Sequence, residues 1–225
     1  MIHVNSKFHK ILVACVVGSF LCVAIVALWL YVSVRANLLG YLHTLRDKEG
    51  YVSLQQIPQV LKNATVVAED PGFYKRLPFG GSLITQQLVK LYIEKDKKYL
   101  GNNLEYNLQI LFLSFCLDTS VFRDMQLELH LNKSWYGLGI QGVSQAAKIY
   151  FNKSTEHLNP TESIVLAGLT RSPALYDLRQ GEVDSELNIL WLQRAKDISR
   201  HMKEYGFEDQ LDDMEITVYL LSHTQ

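Results

Sequence analysis

Three cysteines among 225 residues are too few for a disulfide framework, and their positions make no metal-ligand pattern. Cys15 and Cys22 fall inside one uncharged apolar run, where they can share a helix face and read as buried small hydrophobes. Cys116 lies in a second apolar stretch. Neither sign of charge dominates: 22 basic residues stand against 23 acidic ones, which leaves no whole-chain field to draw nucleic acid. Stretches that alternate apolar and polar with period two are scarce, so a sheet protein is not expected. Internal repeats and low-complexity tracts are absent. The length allows one ordinary domain plus an anchor.

That anchor is the first thing the sequence does contain. Residues 11–34 carry no charge, and a helix of that length reaches about 36 Å, enough for a hydrocarbon core of about 30 Å. Trp29 and Tyr31 near its far end suit an interfacial aromatic belt. A cleaved signal peptide would need a shorter apolar region of about 7–15 residues and a small-residue cleavage site; none follows here. Leu12-Val13-Ala14-Cys15 resembles a lipoprotein box, but only Ile11 separates it from charged Lys10, so it is read as chance. Lys7 and Lys10 on one flank nearly balance Arg35, Arg46 and Lys48 on the other, and charge alone does not orient the span.

Beyond the anchor the pattern is helical. Residues 36–48 form a weak helix suited to a stem leading away from the bilayer, broken at Glu49-Gly50. Within 53–70, Val60, Leu61, Ala64, Val67 and Ala68 form a stripe, and Pro71-Gly72 ends it. Ser82 is a candidate N-cap for a helix running toward Ile93. A polar loop is expected over 95–103. A very apolar helix comes next over 103–118, with Leu104, Leu108, Leu111, Phe112 and Phe115 expected as its buried stripe; it is too short for a second span. Helices are also expected over 122–132, 143–151, 160–169 and 186–205, with a turn at 135–142 and a proline-led start at Asn159-Pro160. The acidic-then-apolar tail, 208–225, suits either a last helix or a partner contact.

A few polar residues stand out against this apolar background. Glu69-Asp70 sits at a helix end, where acids oppose the dipole; a capping or ion-paired surface site explains it as well as chemistry does. Glu105 lies early on the apolar helix, with Asn102 and Gln109 able to share its face. Its alternatives are a functional carboxylate or a solvated acid favoured by the helix start. Gly80-Gly81-Ser82 can expose backbone N–H groups to an anion, and Lys90 falls one turn below Gln86 on the same face.

Taken in order, these segments resemble the glycosyltransferase family 51 domain, the peptidoglycan transglycosylases found alone or at the front of bifunctional penicillin-binding proteins. Glu69, Asp70 and Phe73 match the family's first motif. GGSLITQQLVK (80–90) matches the second, G-G-S-T-I-T-Q-Q-x-x-K, with Leu83 as the one change. Glu105 fits the glutamate of the third, R-K-x-x-E. Arg123, Leu127, Glu128, Leu131 and Asn132 echo the fourth. The segment 139–176 is similar to the family's stretch after that fourth motif, and Arg194 with Met202 to its last motif.

The resemblance implies a mainly α, lysozyme-like transglycosylase domain with a small membrane-dipping jaw, divided here as residues 1–35 for tail and anchor and 36–225 for the domain. It implies polymerisation of lipid II into glycan strands, with release of undecaprenyl pyrophosphate and inversion at the anomeric carbon. Glu69 would be the general base and Glu105 the donor-side carboxylate, beside the pyrophosphate or a divalent cation, Mg or Mn; no other cofactor is implied. Asp70, Phe73, Gly81, Ser82, Thr85, Gln86, Gln87, Lys90, Arg123 and Asn132 would bind substrate. Expected partners are lipid II, glycan strands, the membrane and a transpeptidase or other wall-synthesis protein, with no nucleic acid. No penicillin-binding Ser-x-x-Lys domain is expected in the chain, which leaves cross-linking to partners. The expected location is the bacterial cytoplasmic membrane, single-pass, with the domain on the outer, periplasmic or extracellular, face.

The sequence also departs from the family pattern. Tyr74-Lys75-Arg76 comes after Phe73 where the family continues to a histidine, and six residues separate Phe73 from Gly80 where a longer segment is usual. Gly101 and Asn102 stand in place of the third motif's arginine and lysine, and His130 in place of the fourth motif's tyrosine. Lys75, Arg76, Lys97 and Lys98 are the cations available to substitute. These departures set a catalytically inactive relative, binding lipid II or nascent glycan and scaffolding wall synthesis, beside the enzyme. A glycan-cleaving enzyme, which would use a carboxylate as general acid, fits the Gly-Gly-Ser and Gln-Gln signature least.

Overall fold

A computed structural model describes residues 6–79, 81–96, 103–171 and 185–207. Gly80, Lys97, Lys98, Gly101, Asn102 and the tail 208–225 lie outside the described residues. The elements are α1 (Ser6–Arg46), α2 (Gln59–Glu69), α3 (Leu83–Asp96), α4 (Asn103–Asp118), α5 (Arg123–Lys133), β1 (Trp135–Gly137), β2 (Ile140–Gln141), α6 (Val143–Phe151), α7 (Pro160–Leu169) and α8 (Ser185–Glu204), with short 3₁₀ turns at Leu54–Gln56 and Thr155–His157. The chain is mainly α, and the expected turn at 135–142 closes as a two-stranded antiparallel hairpin.

The anchor and the supposed stem are one continuous helix of 41 residues. Its first part is exposed, and it is long and apolar enough to cross a membrane. Its last turns do not lead away from the domain: Leu38, Leu42 and Leu45 are buried in the core. Cys15 and Cys22 lie on the outer surface of α1 within the apolar run, packed against no other described part of the chain.

Two apolar clusters fill the domain. One gathers α2, α6, α7, α8 and the hairpin around Leu61, Tyr136, Ile164 and Met202. The other joins the end of α1 to α3 and α4 through Leu42, Leu88, Ile93 and Leu117. Helices α3 and α5 serve both: Ile84, Leu127 and Leu131 point into the first, Leu88, Val89 and Leu129 into the second. Every residue of α7 from Thr161 to Leu169 is buried. Its start is fixed by a reciprocal cap, with Asn159 accepting from Glu162 N and Glu162 accepting from Asn159 N, both at 2.8 Å.

Helix α4 corrects the expected stripe. Leu104, Leu108, Leu111, Phe112 and Phe115 are exposed, and the buried face is Ile110, Leu113, Ser114, Cys116 and Leu117. With apolar residues nearly all round, spacing alone did not say which side faces the core. Contact with α1 decides it: the Tyr31 and Phe115 rings lie 6.3 Å apart, and the Tyr31 and Thr119 hydroxyls meet at 3.0 Å. The outward face is therefore continuous with the apolar surface of α1. Helix α3 also runs past Ile93 to Asp96, so the start of the expected 95–103 loop is helical.

Candidate active site

Glu69 is the last residue of α2, and both its carboxylate oxygens are held. Gln87 Nε2, from α3, donates to Oε2 at 3.1 Å. Thr170 Oγ1, at the C-terminal end of α7, donates to Oε1 at 2.6 Å. An acid at a helix C-terminus faces an unfavourable dipole, which is offset here: Arg194 of α8 donates from Nη2 to the Ala68 carbonyl at 3.0 Å. Three helices thus fix the carboxylate while leaving it partly open.

His130 and Tyr136 lie deep beside this group. Burial lowers the His130 pKa, and the Glu69 charge opposes that only in part, so the imidazole is neutral at neutral pH. Burial, then the same charge, pushes the Tyr136 phenol far up; it stays protonated and donates to the Leu131 carbonyl at 3.2 Å. Next to them opens a cleft of about 280 Å³, lined among others by Gln87, Lys90, Glu94, His130, Lys133, Trp135 and Thr170.

The other carboxylate of the pair turns inward. Asp70 is fully buried; Oδ2 accepts from Leu83 N at 3.0 Å, and Oδ1 pairs with Arg76 Nε at 3.0 Å. It holds the start of α3 together with Ser82, the expected N-cap, whose Oγ accepts from Thr85 N at 3.2 Å. Thr85 Oγ1 is shared between Gln126 Oε1 at 2.6 Å and Asp118 Oδ1 at 2.9 Å, and accepts from Arg123 Nη1 at 3.0 Å. Arg123 also pairs with Asp118 at 2.7 Å and lies over the buried Phe73 ring, 5.0 Å from its centre. Asn132 bonds both the N–H and the carbonyl of Val52 at 2.8 Å, while Glu128 takes Tyr51 Oη at 2.7 Å, Leu54 N at 2.8 Å and Arg46 at 3.3 Å.

Among the residues expected to bind substrate, Gln87 and Lys90 therefore line the cleft directly. Asp70, Phe73, Ser82, Thr85, Arg123 and Asn132 build its framework, Gly81 is exposed, and Gln86 is half-buried on α3. Glu105 is exposed on the first turn of α4 and is not among the residues lining this cleft. Three participants escaped the sequence reading: Thr170, Lys133 and Trp135. Lys133 had at most a faint signal, a lysine directly after a segment, Leu127 to Asn132, that alternates leucines with Glu128, His130 and Asn132. Thr170 had none, since its role depends on a contact across 101 residues.

A family model described as Transglycosylase matches residues 75–203. The chain belongs to the transglycosylase family. This transglycosylase is 31% identical over 189 residues to a protein of Cupriavidus necator whose name calls it a putative transglycosylase, covering 75% of this chain and 79% of that one. It is 30% identical to penicillin-binding protein 1F of Bacillus subtilis (56% of this chain, 20% of the other) and to penicillin-binding protein 1A of Neisseria gonorrhoeae (58% and 18%). It thus spans about a fifth of those two longer relatives. Family membership carries glycosyltransferase-type chemistry for the transglycosylase, and the long apolar helix at its N-terminal end is consistent with membrane anchoring.

The family resemblance also raises a divalent cation. No group of three His, Cys, Asp or Glu side chains comes together among the described residues. An exposed carboxylate such as Glu105 suits a magnesium-type ion that takes one or two protein oxygens and draws its remaining ligands from phosphates and water.

Proposed function

We propose that this chain is a peptidoglycan glycosyltransferase that polymerises lipid II into glycan strands and releases undecaprenyl pyrophosphate. The observation that carries this reading is the Glu69 carboxylate, oriented by Gln87 and Thr170 of the cleft wall, with the buried His130 and Tyr136 beside it uncharged. Burial disfavours a proton on His130 and Tyr136 already carries its own, which leaves the Glu69 carboxylate as the base at that point.

In the reaction, Glu69 accepts the proton of the acceptor sugar's 4-hydroxyl as that oxygen attacks the anomeric carbon of the donor. The bond from that carbon to the diphosphate oxygen breaks, the diphosphate leaves with the electron pair, and the configuration inverts. Holding the base within reach of its proton is the protein's main contribution to this step. Lys90 in the cleft offers charge to the leaving group. Glu105 would hold a divalent cation, which would neutralise diphosphate charge when bound. Leu104, Leu108, Leu111 and Phe112 extend the apolar surface of α1, which supports a domain resting on the lipid that carries its substrate, on the outer face of the bacterial cytoplasmic membrane. A transpeptidase or another wall-synthesis protein would be the fitting partner.

A second reading, a lipid II or glycan binder without catalysis, draws on one observation. Arg76 and Arg123 are already paired with Asp70 and Asp118, which leaves no arginine on the described cleft wall for the diphosphate. Purified protein given labelled lipid II separates the two. Glycan ladders that disappear in Glu69→Gln, with its melting temperature unchanged, are expected of the enzyme. Lipid II binding by both proteins without any product would establish the binder.

A further inference from the structure

A groove larger than the cleft beside Glu69 lies elsewhere in the domain. A volume of about 590 Å³ opens between the end of α1, the α5–hairpin junction and α6, with Lys48, Glu49, Lys133, Gln141, Gln145 and Lys148 on its walls. That size suits a small molecule or a few residues of a larger one, rather than a single ion. Three lysines against one glutamate make it electropositive.

Lys133 is the unusual member. It is only 8% exposed, and among the described residues no carboxylate pairs with its ammonium and no acceptor bonds it. Its nearest charged influence is another cation: burial, and then the Lys48 charge, pull its pKa below that of an ordinary lysine. Its stem is packed into the fold while the residue lines open space, so an ammonium with no paired carboxylate among the described residues is presented to whatever anion enters. Lys133 also lines the Glu69 cleft, so the two openings meet at this one side chain. Gln141 and Gln145 bring amide groups to the groove, suited to peptide or sugar hydrogen bonds.

We infer that this groove receives a carboxylate-bearing peptide attached to the substrate saccharide, with Lys133 pairing its carboxylate and Lys48 and Lys148 guarding the rim. The inference rests on the glycosyltransferase reading, because it assigns the groove to the same substrate whose sugar reaches Glu69. It makes Lys133 a specificity-determining residue that couples peptide recognition to the seating of the sugar.

Binding to the full-length chain in detergent tests it, with three probes: a soluble disaccharide carrying a peptide with free carboxylates, the same disaccharide without peptide, and inorganic pyrophosphate. The peptide-bearing probe is expected to bind at least about tenfold more tightly than the bare disaccharide. Lys133→Met, which keeps the stem and removes the charge, should erase that advantage without lowering the melting temperature. Lys48→Glu on the exposed rim should reduce it and serves independently if the first variant fails to fold. Equal binding of the two saccharides, an unchanged advantage in both variants, or pyrophosphate displacing the peptide-bearing probe would overturn the assignment. Lys133-dependent peptide binding in a protein that makes no glycan would retain the groove and remove the polymerase. Normal glycan ladders with no peptide preference would do the reverse.

Discussion

Glu69 and Asp70 are neighbours in the chain with opposite surroundings: one is half-buried and bonded to Gln87 and Thr170 of the cleft wall, the other is sealed under the start of α3. The sequence marked the pair, but not its division of labour, because the turn after α2 sends consecutive side chains to opposite sides. The same holds for Thr85, Arg123 and Asn132, whose residue types suggested polar ligands and whose partners are other parts of the fold. His130 gives a prediction at this scale. Its folded pKa lies below the unfolded value of about 6.5, so the unfolded chain binds the extra proton. Stability is then full above pH 6.5 and declines as the pH falls toward the folded pKa, by at most about 1.4 kcal/mol per unit for one proton. Thermal unfolding of His130→Tyr across this range should lose that part of the acid-side decline; a slope equal to the parent's would assign the decline to other groups.

Helix boundaries were largely readable, since caps and breakers act locally: Asn159, Ser82 and the Pro71-Gly72 stop all sit where the elements change. Orientation was not readable for α4. A helix with apolar residues on every side has no stripe to choose, and its outward face is set by a neighbour about 85 residues earlier in the chain, Tyr31 against Phe115. If that face meets lipid, Leu108→Ser combined with Phe112→Ser should weaken association of the domain with vesicles while leaving its melting temperature within a degree or so, because little packing is removed. A large drop in melting temperature would mean that the face is covered by protein instead.

For the molecule as a whole, α3 and α5 contribute to both apolar clusters, so neither cluster can open alone without exposing part of the other. Burial of both faces is also why α5 showed no clear amphipathic pattern in the sequence. Leu129→Ala, at the second cluster, should cost about 2–5 kcal/mol. Tryptophan fluorescence and helical circular dichroism should shift together in that variant. Separate transitions by the two probes would show the clusters to be independent folding units.

The uninterrupted α1 makes the domain's stance a matter of helical phase. Leu38, Leu42 and Leu45 lock the upper turns into the core, while the lower turns belong to the apolar segment below. One residue added between them would turn the catalytic opening through about 100° around the helix axis and lift it by about 1.5 Å. On the proposed reaction, the direction from which a lipid-borne sugar would slide in is written into the phase at which α1 leaves the domain below Tyr31, as an azimuth is set by the threads of a screw.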